Sequence, residues 1–277
     1  IPIITGRHQS RPMEEIVSEV EWLVQQGVKE FQVIAQDLSY YGKDLYGEFR
    51  LAELIEKISD VPGIQWIRLH YAYPAKFPYD ILRVIRERDN VCNYLDIALQ
   101  HVSDPVLQRM RRNVSSKETI ELIRRIRDEV PGIHLRTTLL TGFPGESEAD
   151  FEALMNFVKT MRFERMGAFP YSEEEGTYSA LHYDDDIPFE VKQARVDQLM
   201  EIQQQISEEL NRAKIGSVLR VIIDGEEGDC YVGRTEFDSP EVDPEVLISK
   251  NKILNIGEFY EVKIVDAEAF ELMGEVL

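Results

Sequence analysis

The chain has 277 residues, with 51 acidic against 31 basic side chains and a formal net charge of −20. An apolar share of 43%, including 12 Phe and 12 Tyr, supports a packed core and excludes a disordered chain. No apolar run approaches the ~20 residues that span a bilayer, and the acid excess argues against a chain-wide grip on nucleic acid.

In chain order, Ile1 to Ile4 reads as the tail of a strand. Met13 to Gln26 carries Ile16, Val20, Leu23 and Val24 on one stripe, a helix that Gly27 ends. Phe31 to Ala35 is a short buried strand ending in Gln36-Asp37. The unit then repeats: helix Leu51 to Ile58, strand Ile64 to Leu69 ending at His70-Tyr71; helix Tyr79 to Arg88, strand Tyr94 to Leu99 ending at Gln100-His101. Next come helix Lys117 to Val130, strand Ile133 to Leu140 ending at Thr141-Gly142, helix Glu148 to Met161, and strand Arg165 to Phe169 ending near Tyr171-Ser172. Strand–helix alternation predicts parallel strands with right-handed crossovers. Five such strands plus the tail of a sixth suit an α/β fold built on a partial (β/α)6 TIM-like barrel. A flat doubly wound sheet is the alternative, disfavoured because no G-x-G-x-x-G turn follows the first strand. Phe31 to Ala35 is then expected at an exposed edge.

Asp184-Asp185-Asp186-Ile187-Pro188 marks a break. Phe189 to Lys214 reads as one long helix, and Gly216 opens a different texture. Val218 to Ile223, Tyr231 to Arg234, Val246 to Ile248, Phe259 to Val265 and Glu271 to Val276 are short strands, with Asp224-Gly225 as a turn signal. They predict a small antiparallel β-barrel. The expected domains are a core at 1–186, a linking helix at 187–214 and the small barrel at 215–277.

Ligands of parallel barrels bind where the strands end, at their carboxyl tips. Each tip here turns polar. The most pointed stretch is Leu139-Leu140-Thr141-Gly142-Phe143-Pro144-Gly145-Glu146, where two glycines permit close backbone approach; Ser147 with Asp150 can cap the following helix. The two cysteines, Cys92 and Cys230, exclude a disulfide framework and a local metal knuckle. They read as small apolar residues and are compatible with a reducing cytoplasm. No lysine lies at the five tips, which disfavours an aldolase-type barrel.

The Thr141-to-Glu146 stretch resembles the radical S-adenosylmethionine methylthiotransferase family. So do Leu99-Gln100-His101-Val102-Ser103-Asp104 followed by Met110-Arg111-Arg112, Val33 to Asp37, and the entry Ile1-Pro2, Gly6-Arg7, Arg11-Pro12. The resemblance implies S-adenosylmethionine and 4Fe-4S clusters as cofactors. In the family the cluster cysteines lie directly ahead of the Ile-Pro, so the chain is expected to be a fragment, inactive alone, of an active parent. It implies that Gln36 and Asp37 face the methionyl amino group, that Gln100 and Arg112 face ribose and carboxylate, and that Arg136, Thr141 and Gly142 line the adenine. Arg112 is also readable as a solvated helix residue. It implies no metal ligand in this chain and names no catalytic residue.

The tail resembles the TRAM domain of the family branch that methylthiolates the β-carbon of an aspartate in a small-subunit ribosomal protein. From Ile215 to Leu277 there are 15 acidic and 5 basic residues, a net of −10. An RNA-gripping module should be basic, so the expected partner is a basic ribosomal protein docked on an acidic TRAM domain, in the cytoplasm, with no nucleic-acid grip and no membrane. The alternatives are a tRNA adenosine methylthiotransferase of the same family and a non-catalytic ribosomal-protein docking module.

Overall fold

The computed structural model describes Gly6 and residues 8–277; the strand tail expected at Ile1 to Ile4, with Arg7, lies outside the described residues. Helix α1 (Met13–Gln25) leads into β1 (Glu30–Val33), then α2 (Leu51–Ser59), β2 (Trp66–Ala72), α3 (Asp80–Glu87) and β3 (Val91–Ile97). After α4 (Asp104–Arg109) come α5 (Ser116–Glu129), β4 (His134–Thr141), α6 (Glu148–Met161), β5 (Arg165–Pro170) and the short α7 (Tyr178–His182). β1 to β5 form one parallel sheet in sequential order, the topology of an open, partial barrel.

Local chemistry explains most boundaries. Ser115 with Glu118 and Ser147 with Asp150 close reciprocal capping boxes that start α5 and α6. On each strand the residues facing the helices are apolar. Ile67, Leu69, Leu95, Ile97, Leu135 and Leu139 are almost wholly buried against the helices in one continuous core. Alternation then turns Glu30, Gln32, Arg68, His70, Tyr94, Asp96 and Arg136 to the concave side, which is polar and charged. β1 is the edge of the described sheet. Beside it runs an apolar cleft of about 360 Å³ lined by Ile16, Val20, Phe31, Val33 and Leu54.

Helix α8 (Phe189–Arg212) carries the chain to a closed barrel of β6 (Val218–Glu227), β7 (Cys230–Thr235), β8 (Glu245–Ser249), β9 (Phe259–Ala267) and β10 (Glu271–Val276). Three expectations change. Asp224-Gly225 is not a turn: β6 runs through it with a bulge between Ile223 and Gly225, and the chain reverses at Gly228-Asp229. The barrel is not wholly antiparallel, because β8 and β10 pair in parallel. β2 continues to Ala72, so His70 and Tyr71 lie within the strand. Cys92 is buried, its thiol pushed up to about 12 by burial, whereas Cys230 is half-buried. No helix among the described residues is long and apolar enough to cross a membrane.

Candidate functional site

The small barrel closes the amino-terminal foot of the sheet. Trp66 meets Phe259 edge-on at 4.8 Å, with Cys92, Tyr94 and Ile222 around them. Above this apolar contact lies a buried ionic layer. Glu30 accepts from Arg68 at 3.1 Å and from Arg234 at 2.7 Å, and Arg234 also grips Asp224 at 2.6 Å. Arg165 donates to Asp238 at 2.5 and 3.0 Å. Arg136 pairs with Asp243 at 3.3 Å, and Tyr94 donates its hydroxyl to the same carboxylate at 2.9 Å. Burial pushes Asp238 up, but Arg165 and Lys214 outweigh it and hold the carboxyl at about 2. Asp243 is raised, because burial there exceeds the pull of its cations. Asp238 and Asp243 are thus committed inside the molecule. They are not part of an acidic surface open to a partner.

The carboxyl tips are different. Asp37 follows β1 in a bend and leaves Oδ1 buried without a partner; burial raises its pKa. A cleft of about 170 Å³ lies between Asp37, Tyr73 and Lys76. Arg112 follows α4, stacks over the Tyr73 ring at 4.6 Å, donates Nη2 to the Ala98 carbonyl, and leaves Nε buried without a partner. Burial lowers its pKa, and Asp37 is close enough to pull it back up. Arg112 is therefore not a solvated helix residue. Gln100, three residues past β3, is in a left-handed conformation, φ 69°, bridged to Leu139 of β4, and opens with Arg112 onto a second cleft of about 310 Å³. Gln36 is exposed in the bend beside Asp37.

The other three expected residues are not gathered here. Arg136 stands near the foot of β4, five positions from Thr141. That separation is about 16 Å along the strand and puts the two side chains on opposite faces. Thr141 is fully buried and gives its hydroxyl to the Lys192 carbonyl on α8 at 3.0 Å. Gly142, at φ 70°, donates its amide to Glu146 Oε2 at 2.7 Å, and a Cβ there would meet the Lys192 side chain at 2.2 Å. Glu146 in turn takes Arg195 of α8 at 2.8 Å and faces His101 at 3.7 Å. The Thr141-to-Glu146 turn is thus held from outside by Lys192 and Arg195. Sequence reading missed both; a basic residue at each of two helix positions three apart was their only signal.

S-adenosylmethionine carries an amino-acid end with one ammonium and one carboxylate. The unmatched Asp37 Oδ1 and Arg112 Nε, an acceptor and a donor at the strand tips, fit that end. An iron–sulfur cluster is another matter: no group of three or more His, Cys, Asp or Glu among the described residues is arranged to hold a metal, so none of them is assigned to one.

Comparison with known proteins agrees with this architecture. The radical SAM superfamily model matches residues 2–158, and a TRAM domain model matches residues 215–277. Ribosomal protein uS12 methylthiotransferase RimO of Parabacteroides distasonis is 65% identical over the whole chain, and the same-named protein of Bacteroides thetaiotaomicron is 66% identical. In each case the chain spans 64% of the relative's length. Among solved structures, Escherichia coli coproporphyrinogen III oxidase (HemN), described as a radical SAM enzyme, overlays 82% of this chain and 61% of its own, with TM-score 0.52 and 14% identity, a likeness of fold. The chain belongs to the radical SAM superfamily, and a TRAM domain follows its radical SAM core.

Proposed function

We propose that this chain is the cofactor-binding and acceptor-binding part of a uS12 methylthiotransferase of the RimO type. Such an enzyme places a methylthio group on the β-carbon of an aspartate in that small-subunit ribosomal protein, in the cytoplasm. Bound S-adenosylmethionine would supply a transferable methyl group and, given one electron by a reduced 4Fe-4S cluster, a 5′-deoxyadenosyl radical with methionine as the other product. This chain's own residues bind and orient. Asp37, with Gln36 beside it, takes the ammonium, Arg112 takes the carboxylate, and Gln100 faces the ribose. Arg136 stays paired with Asp243 at the foot of the sheet, away from the adenine side. Thr141 and Gly142 shape that side from behind, because their polar groups already bond to α8 and to Glu146. The observation that carries the reading is the unmatched buried pair, Asp37 Oδ1 and Arg112 Nε, beneath two clefts at the strand tips. Identity of 65% to a uS12 methylthiotransferase supports the substrate. The acidic balance of residues 215–277 also supports a basic protein partner over RNA.

The test is mass spectrometry of uS12 and of tRNA after incubation with the full-length protein loaded with iron and sulfide. A methylthio gain on uS12 is expected; a gain on tRNA alone overturns the substrate. Asp37→Ala and Arg112→Met should each weaken S-adenosylmethionine binding by roughly tenfold to a hundredfold in equilibrium dialysis, since each removes a charged hydrogen-bond partner.

A further inference from the structure

We propose that Arg109, Arg111 and Tyr178 form the subsite that takes the acidic side chain of the acceptor, one carboxylate presented beside Gln100. The inference rests on the reading above and adds the group that selects the residue to be modified.

Three arginines within four positions, Arg109, Arg111 and Arg112, line the cleft of about 310 Å³ together with Gln100, Leu140, Phe143 and Tyr178. None of the three has an ion-pair partner among the described residues, although acids outnumber bases 51 to 31. At the foot of the sheet Arg68, Arg136, Arg165 and Arg234 each hold a carboxylate. Unneutralised guanidinium groups converging on a concavity in an otherwise acidic protein mark an anion site.

The three arginines divide. Arg112 is turned toward Asp37 and Tyr73. Arg109 donates to the Pro144 carbonyl at 3.1 Å and lies over Tyr183, which braces it against the Thr141-to-Glu146 turn. Arg111 is exposed and lies over the Tyr178 ring at 4.3 Å, and Tyr178 stacks on His182 at 3.9 Å. Arg111 is also held at φ 57°, a left-handed conformation that strains a residue with a Cβ. Its position is enforced by the chain on both sides: Arg111 N donates to Gln108 and Arg112 N to Leu107, each at 2.9 Å. Strain kept at the rim of a cleft is a sign of use.

A single carboxylate suits this geometry better than a nucleic-acid backbone. The cleft is small, with Tyr178 in its lining, and a polyanion reaching it would cross a surface of net charge −20. A planar fork can grip one carboxylate through two bonds and fix the carbon next to it, which is the carbon the proposed reaction attacks.

The test uses the full-length, cluster-loaded protein and two acceptors: uS12, and uS12 with the modified aspartate changed to asparagine. Calorimetric affinity and acceptor KM are measured for wild type, Arg111→Ala, Arg109→Ala and Arg111→Lys. Wild type should prefer the aspartate form. Arg111→Ala and Arg109→Ala should each weaken aspartate-form binding roughly tenfold or more and erase the preference, with Arg111→Lys between, while S-adenosylmethionine affinity moves less than twofold. Equal loss of S-adenosylmethionine affinity assigns the arginines to the cofactor and overturns the proposal, as does loss of tRNA retention without loss of uS12 binding. A wild type that does not distinguish the two acceptors sinks the substrate reading along with it. A wild type that does, joined by an Arg111→Ala variant that still does, sinks the subsite alone.

Discussion

The two ends of the same five strands handle charge in opposite ways. At the foot, Arg68, Arg136, Arg165 and Arg234 are buried or half-buried, and each is matched to a carboxylate of the sheet or of the TRAM barrel. At the tips, Arg109, Arg111 and Arg112 have no carboxylate partner among the described residues, and Asp37 and Arg112 each leave a buried atom unmatched; Arg68 at the foot also leaves its Nε unmatched, but its charge is met by Glu30. The foot has the arrangement of a structural joint, because buried charge is tolerated only when paired. The tips have the arrangement of a binding face, since unmatched groups are kept where something else will match them. On the proposed reading one sheet carries fold stability at one end and ligand chemistry at the other, and the domain joined at the foot leaves the tips open.

The strongest way to break this contrast is to unpair the foot. Asp238→Ala leaves the buried Arg165 guanidinium without its carboxylate and strips the Thr235 hydroxyl of its acceptor. A loss of about 3–5 kcal/mol is expected in urea or guanidinium unfolding. Asp238 is held down from 3.8 to about 2, so its contribution is whole above pH 3.8 and fades as the pH falls toward 2. An Asp238→Ala protein as stable as wild type at pH 7 would mean that the joint is solvated, and the contrast would fall.

A middle case lies just behind the tips. His101 is fully buried, its Nδ1 accepts from the Ser103 amide at 2.9 Å, and burial pushes it down to about 4. Its folded pKa is below the unfolded value, so the fold favours the neutral ring. That preference is complete above about pH 6.5 and is lost as the pH falls from there toward 4. Between pH 7 and pH 5 wild type should lose about 2 kcal/mol more stability than His101→Asn. Parallel pH profiles for the two proteins would mean that His101 is hydrated and belongs with the open tips.

Most of the helices and strands were legible because each is a local pattern: an apolar stripe, a capping pair, a short apolar run between breakers. The misses are instructive. Asp224-Gly225 has the composition of a turn, yet Arg234 holds the Asp224 carboxylate and the strand continues past it. α4 is six residues with Pro105 in its first turn, too short to show a helical period. Asp37, Gln100 and Arg112 were expected at a site because they fall in two separate stretches that resemble the family. Thr141 and Gly142 belong to a third such stretch, but their side of the turn faces α8, and only Lys192, 51 positions beyond Thr141, reveals which way they point. The foot was illegible for the same reason. Arg165 and Asp238 are 73 positions apart, and the acids of the TRAM barrel look alike in sequence whether they meet an arginine inside or water outside.

The smallest expected effect gives the sharpest view of the tips. At position 111 two substitutions remove the same guanidinium and the same contact with Tyr178, and they differ only in the Cβ. In ordinary helix or strand backbone, alanine is the more stabilising residue, because glycine loses more freedom on folding. At φ 57° the order should invert: a Cβ in the left-handed region costs roughly 1–2 kcal/mol, which outweighs the added flexibility of glycine in the unfolded chain. Arg111→Gly should therefore be more stable than Arg111→Ala by about 1 kcal/mol, read from the shift in denaturation midpoint at equal slope. A protein that keeps a strained arginine where glycine would relieve the strain is keeping it for the guanidinium. If Arg111→Ala proves equal to or more stable than Arg111→Gly, the backbone there is relaxed, and strain no longer separates the tips from the foot.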